Sequence, residues 1–221
     1  MLVNDCMTRH PILVSPTLPA AEAQRIMVEH HIRHLPVVGE GKRLLGLVTR
    51  QSLAIKPDTL ASLNVWEISR FLATMTVERI MVKADQVITI TPERTAERAA
   101  RIMTEHKIGC LIVVEDTRNP IVVGILTETD LLAAFQAMLG LPTAGVRVTL
   151  RVPNRKGEFA KIASVVAAQG WGIIGVASYP SRRMPDRYDV VLKITEVGPE
   201  EVQHVLQQIP DQELIDIRTV V

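Results

Sequence analysis

An α+β fold in two parts is predicted: a tandem repeat of paired strand and helix units over residues 1–139, followed by a βαββαβ module over residues 146–221. Three observations carry the prediction. The first is self-similarity. Leu45-Gly46-Leu47-Val48-Thr49 returns as Val123-Gly124-Ile125-Leu126-Thr127, Arg25-Ile26-Met27 as Arg101-Ile102-Met103, and Leu35-Pro36-Val37-Val38 as Leu111-Ile112-Val113-Val114. Val3, Met7 and Arg9 find counterparts in Val77, Met81 and Lys83, so the unit starts at the N-terminus and recurs after roughly 75 residues. The second is a change of pattern past Gly140, where Val146, Val148, Leu150 and Val152 alternate with polar residues as in a half-buried strand. The third is composition: 47% hydrophobic with only 3% aromatic implies an aliphatic interior, and 221 residues can bury two ordinary domains.

The elements follow in order. Residues 1–53 read as a short leading strand, a helix opened near Pro19, two strands and the start of a second helix. Residues 60–75, with Trp66 and Phe71, read as a partly helical connector. In the second copy Ala96, Ala99, Ala100 and Met103 make one narrow apolar helix stripe with charges outside it, which implies close packing against a sheet. The β-branched run 121–126 is a covered strand, and 139–145, with Gly140, Pro142 and Gly145, is a linker. Strands at 173–179, 188–194 and 214–220, with helices after Gly157 and at 199–209, complete the second module. The expected boundaries are repeat 1 at 1–58, connector 59–75, repeat 2 at 76–139, linker 140–145 and last domain 146–221.

Thr127 and Asp130 sit at a strand-to-helix junction, where Thr-x-x-Asp can cap the helix reciprocally. The same junction can hold an anion on free amides and offer an acidic residue to ribose hydroxyls. The first copy has Thr49 and Ser52 at these positions, and a serine is a shorter, neutral group.

Val-x-x-x-Met, an amphipathic helix, Leu-Pro-Val-Val and Gly-x-x-Thr-x-x-Asp, in this order and in two copies over residues 1–136, resemble paired cystathionine-β-synthase (CBS) domains, a Bateman module. The resemblance implies adenine-nucleotide binding (AMP, ADP, ATP or S-adenosylmethionine) in two clefts between the repeats, regulation in place of catalysis, and no required cofactor. It implies site positions at Gly124, Thr127, Asp130, Thr49, Ser52, Arg33 and His34. Basic residues before Leu-Pro-Val occur only in the first copy, as Arg33 and His34; Gly109 and Cys110 are their counterparts. Each cleft is therefore expected to be half-equipped, one with the ribose acid and the other with the phosphate cations, unless long side chains reach across, with one occupied site at Thr127 and Asp130.

Asn154-x-x-Gly157-Glu158-Phe159, with Gly170-Trp171-Gly172 after the helix, resembles an ACT domain, a ferredoxin-like module that commonly binds amino acids. Asn154, Lys156, Gly157 and Glu158 are the implied effector positions; Lys156 replaces a usual Pro and Gly172 a usual Asn. The order of CBS pair and ACT domain is similar to acetoin-utilisation-type regulatory proteins. Both families imply a homodimer or higher oligomer, and the regulated partner is not specified.

Other classes find little support. A net charge of +1 with interspersed signs gives no nucleic-acid surface, and Arg182, Arg183 and Arg187 read as a solvated loop. Cys6 and Cys110 form no Cys-x-x-Cys pair, which fits a reducing compartment. The N-terminus lacks a secretory pattern and no apolar run reaches membrane-span length, so a cytoplasmic protein is expected. His30 and His34 would share a face only if the first helix ran that far, so no metal site is expected. No catalytic constellation stands out. The expectation is a non-enzymatic ligand sensor, or alternatively an assembly module with vestigial sites.

Overall fold

The fold comes from a computed structural model, which describes residues 1–53 and 74–220; the predicted connector lies almost wholly outside them. The chain divides into two compact units, Met1–Leu132 and Ala133–Val221.

In the first unit, copy one contributes α1 (Val3–Cys6), β1 (Thr8–Arg9), α2 (Ala20–Glu29), β2 (His34–Val38) and β3 (Leu44–Thr49). Copy two contributes α3 (Val77–Ile80), β4 (Val82–Lys83), β5 (Thr89–Ile90), α4 (Ala96–His106), β6 (Cys110–Val114) and β7 (Val122–Thr127), which leads into α5 (Glu128–Met138). Residues 50–53 form turns, and any continuation of the second predicted helix falls outside the described residues. The helices follow their sequences. Thr95 caps α4, its side chain accepting the Arg98 amide at 3.2 Å, and the stripe Ala96, Ala99, Met103 is buried as the spacing predicts. α2 ends at Glu29, so His30 and His34 do not share a helical face.

The repeats exchange their leading segments. β1 pairs with β7 of the other copy, Thr8 opposite Ile125, while β4 returns the pairing to β3, Leu47 opposite Val82. The backbone repeats the exchange bond for bond. The Val3 amide donates to Arg94 O and the Val77 amide to Leu18 O, both at 2.8 Å; Ala96 N reaches Met1 O at 3.0 Å and Ala20 N reaches Met75 O at 2.9 Å. Sheets β1-β7-β6-β5 and β2-β3-β4 result. Residues of both, among them Leu44, Leu47, Ile112, Val114 and Ile125, close one aliphatic core, so each repeat completes the other.

Gly46 and Gly124 belong to this exchange. A Cβ at Gly124 would lie 2.7 Å from Met7 Sδ and 3.0 Å from Thr8 O; at Gly46 it would lie 2.5 Å from Val82 O. Glycine is required where the swapped segment crosses, and Gly124, an expected ligand position, is a packing position.

The second unit contains β8 (Gly145–Pro153), α6 (Glu158–Ala168), β9 (Gly172–Pro180), β10 (Arg187–Thr195), α7 (Pro199–Leu206) and β11 (Glu213–Val220). Its sheet, β11-β8-β10-β9, is wholly antiparallel, the βαββαβ order predicted. One face carries the core of Val148, Leu150, Ile162, Val166, Leu192 and Leu206. On the other strand positions Arg151 and Asp189 pair through two hydrogen bonds, at 2.8 and 3.1 Å.

Candidate functional site

Two of the clefts in the first unit open at equivalent junctions of the repeat, strand to helix at Thr127 and strand to turn at Thr49. The Thr127 cleft encloses about 450 Å3. Thr127, Thr129 and Asp130 form one wall; the opposite walls come from copy one, with His10 after the exchanged β1 and the segment His30 to His34 that links α2 to β2. The Thr49 cleft, about 520 Å3, is bordered by Thr49, Arg50, Lys107, Gly109 and Glu128, and again by Arg33 and His34.

At the first junction the Thr-x-x-Asp pattern caps reciprocally. Asp130 Oδ2 accepts from the Thr127 amide and hydroxyl, both at 2.7 Å, and the Asp130 amide donates to Thr127 Oγ1 at 3.3 Å. Oδ1 has no intramolecular hydrogen bond and remains free for a ligand. At the second junction the Ser52 hydroxyl donates to Thr49 O at 2.9 Å and accepts the Thr49 amide at 3.0 Å. Ser52 borders neither cleft, which corrects its expected place in a ligand site: both roles of its hydroxyl serve the turn.

Arg33 and His34 stand in the Thr127 cleft together with Asp130. This corrects the reading of two half-equipped clefts. The acid of copy two and the basic residues of copy one border one cavity, as does His10, which follows the β1 strand that pairs with β7. Burial, helped by the Arg33 charge, lowers the His34 pKa below its usual 6.5, against a smaller opposing effect of Glu128. Burial also pushes Cys110 up to about 12, with Glu128 adding to it, so the thiol stays protonated and unreactive.

Sequence reasoning missed His10, Thr129 and Glu128 as cleft residues. His10-Pro11 follows the leading strand, and its role becomes visible only once that strand is known to cross. Among the described residues no group of three or more His, Cys, Asp or Glu is placed to hold a metal ion, and no helix is long and apolar enough to cross a membrane.

In the second unit a pocket of about 400 Å3 is lined by Asn154, Arg155, Glu158, Phe159, Ser178 and Tyr188 among others. Of the four expected effector positions it gathers Asn154 and Glu158. Lys156 and Gly157 are not in its lining; Gly157, with φ +89°, instead provides the left-handed turn into α6. The buried Glu158 accepts from Arg155 Nε at 2.5 Å and Lys161 Nζ at 2.8 Å on Oε1, which holds its pKa down at about 2. Its Oε2 is buried without a partner.

Two matched segments decide the family: residues 3–56 and 77–137 both correspond to the CBS domain. The chain belongs to the CBS domain family. L-aspartate semialdehyde sulfurtransferase of Methanocaldococcus jannaschii is 32% identical over 136 residues, 61% of this chain and 23% of that protein. The chain thus spans about a quarter of the length of such curated relatives, whose enzymatic names belong to proteins with much sequence outside the match. A Vibrio cholerae protein described as an acetoin utilization protein (AcuB) is 32% identical, with a TM-score of 0.52 over 64% of this chain and 94% of that one. The CBS domain pair of protein MJ0100, in complex with 5′-methylthioadenosine and S-adenosyl-L-methionine, is 31% identical, with a TM-score of 0.49 over 61% of this chain and 95% of that one.

Proposed function

We propose that this chain is a non-catalytic regulatory sensor that binds an adenine nucleotide or S-adenosyl compound in the Thr127 cleft. The observation that carries the reading is the convergence of unlike groups in one cavity: the Asp130 carboxylate with a free Oδ1, the Arg33 guanidinium, and the His34 imidazole, which a bound phosphate can bring to its charged form. The carboxylate suits ribose hydroxyls, whose O–H groups donate, and the guanidinium suits a phosphate or carboxylate. The Thr127 hydroxyl, held by Asp130, borders the same cavity, and about 450 Å3 is room for a nucleoside phosphate. The CBS family membership supports a regulatory role.

In the same reading the second unit is an ACT-type module that binds an amino acid near Asn154 and Glu158, the chain forms a homodimer, and it works in the cytoplasm. The ferredoxin-like order and the pocket at the β8–α6 turn support the module. The free thiols of Cys6 and Cys110 fit a reducing compartment.

Isothermal titration calorimetry of the full chain with AMP, ADP, ATP, S-adenosylmethionine and the amino acids tests the reading. A ligand present at 100 times its dissociation constant adds about 2.7 kcal/mol of stability, so thermal shift provides a second readout. Saturable binding of an adenosyl ligand, weakened on Asp130→Asn, is expected. Silence across the panel would leave an assembly module whose junctions only cap.

A further inference from the structure

Three loops of the second unit close on one end of its sheet, where the end of β8 meets the start of β10 and Pro153 pairs with Arg187. The Asn154 amide donates to Asp186 O at 2.8 Å, which ties the β8–α6 turn to the β9–β10 hairpin. Arg155 Nη2 reaches Asp211 Oδ2 at 2.6 Å and Arg187 Nη1 reaches Asp211 O at 3.0 Å, which ties both to the α7–β11 turn. Charge is unevenly matched in this cluster. Glu158 is paired with Arg155 and Lys161, and Asp211 with Arg155. Lys156, Arg182 and Arg183 are exposed, and their side chains make no hydrogen bond or ion pair among the described residues. Of the carboxylates on these loops, that of Asp186 alone is unpaired. Apolar surface accompanies the free cations: Met184, next to Arg183, is 42% exposed and Phe159, at the start of α6, 45%. At the opposite end of the sheet, where Ile194 pairs with Val146, β10 leads into Glu196, Glu200 and Glu201, which are exposed and unpaired. The second unit is thus polarised, with its free positive charge at the loop end.

We propose that this loop end is a docking surface for a protein partner that presents an acidic segment, engaged by Arg182, Arg183 and Lys156 around the exposed Met184. The inference rests on the regulatory part of the reading above, since a sensor without chemistry of its own acts through another protein, and not on which ligand is sensed. Arginine, methionine and aromatic side chains are those enriched in protein interfaces, and complementary charge steers the encounter. The three cations stand on two separate loops and outside the lining of the neighbouring pocket, so they suit a row of carboxylates along a chain and not one small anion. A nucleic acid fits less well, because the Asp186 carboxylate beside the arginines repels a phosphate backbone and the chain as a whole carries only +1.

Fluorescence anisotropy of the full chain tests the surface with three labelled probes: a peptide of glutamates around a leucine pair, its glutamine counterpart, and oligouridylate. The glutamate peptide is expected to bind, the glutamine peptide at least about tenfold more weakly, with affinity falling as salt rises from about 50 to about 200 mM. Arg182→Glu with Arg183→Glu lowers the affinity more than about tenfold, while Arg79→Glu with Arg118→Glu, the same change of net charge in the first unit, leaves it within about twofold. Neither loop arginine has a partner to lose, so the thermal midpoint of the loop variant matches the wild type. Equal weakening by the two double variants would overturn the inference, as the mark of general charge attraction. Absence of peptide binding at low salt in a chain that takes up AMP would overturn it and leave the proposed ligand site standing. Tighter binding of oligouridylate than of the glutamate peptide would overturn it in favour of a nucleic-acid surface. Peptide binding that the loop variant abolishes, in a chain that binds no adenosyl compound, would remove the nucleotide reading and uphold the docking surface.

Discussion

Asp130→Asn separates binding from capping. In the unliganded protein Oδ2 receives the Thr127 amide and hydroxyl at 2.7 Å each, and an asparagine oxygen can accept the same pair without the charge. The cost to stability is then the charge at a helix start and part of each bond's strength, about 0.5–1 kcal/mol. A bound ribose loses more. Hydrogen bonds to a charged acceptor contribute about 1.5–3 kcal/mol against about 0.5–1.5 for neutral ones, so affinity should fall by about 1–3 kcal/mol, or about 5- to 150-fold. Thermal unfolding without ligand and calorimetry with AMP, made on the same preparations, give the two numbers. Ser52→Ala is the control, because it removes the two hydrogen bonds of the Ser52 hydroxyl, leaves the one its backbone amide donates to Thr49 Oγ1, and touches no ligand group in the Thr127 cleft. It should lower stability by about 0.5–2 kcal/mol and leave that cleft's affinity unchanged. An Asp130→Asn chain that loses stability but binds AMP like the wild type would refute the reasoning.

Three further outcomes are expected. Gly46→Ala should destabilise by about 1–3 kcal/mol and by more than Gly124→Ala, because the first methyl meets the Val82 backbone and the second mainly the movable Met7 side chain; chemical denaturation compares them. His34 has a lowered pKa, so its contribution to stability is present above pH 6.5 and is lost as pH falls through the folded-state value; a phosphate in the cleft reverses the balance by favouring the cation. AMP binding near pH 6 should therefore take up protons, seen as a dependence of calorimetric heat on the buffer's ionisation enthalpy, and His34→Gln should remove that dependence. Glu158, held at about 2, contributes stability that is full above its ordinary 4.5 and is lost as pH falls towards 2; Glu158→Gln should flatten that acid limb in circular dichroism melts.

Much of the fold was legible because it is local or periodic. The alanine stripe of α4, the Thr127–Asp130 cap and the alternation of β8 each follow from residues within a few positions of one another. The order of the second unit was legible for the same reason. What the sequence could not disclose is which copy of a strand pairs with which partner. The two leading strands carry equivalent residues, so local pattern is satisfied whether each stays home or crosses. The same ambiguity hides which cleft the residues of each copy border, so that Arg33 and His34, read from the first copy, also line the cleft of Thr127 and Asp130. Ser52 failed for a subtler reason: a hydroxyl both donates and accepts, and a tight turn can use both roles at once.

The strand exchange has a consequence for synthesis. Thr8 must find Ile125, 125 − 8 = 117 residues later. A ribosome adding about 5–20 residues per second delivers that partner only after about 6–23 s, during which the first copy is out without its crossing partner. Val3, which is fully buried in the finished protein, must wait for Arg94, and Val48 closes its core only when Val77 arrives. The exchanged strand pairs are therefore contacts of long sequence separation, the kind whose loop-closure entropy slows folding, and until the second copy emerges the buried face of the first is without its partner.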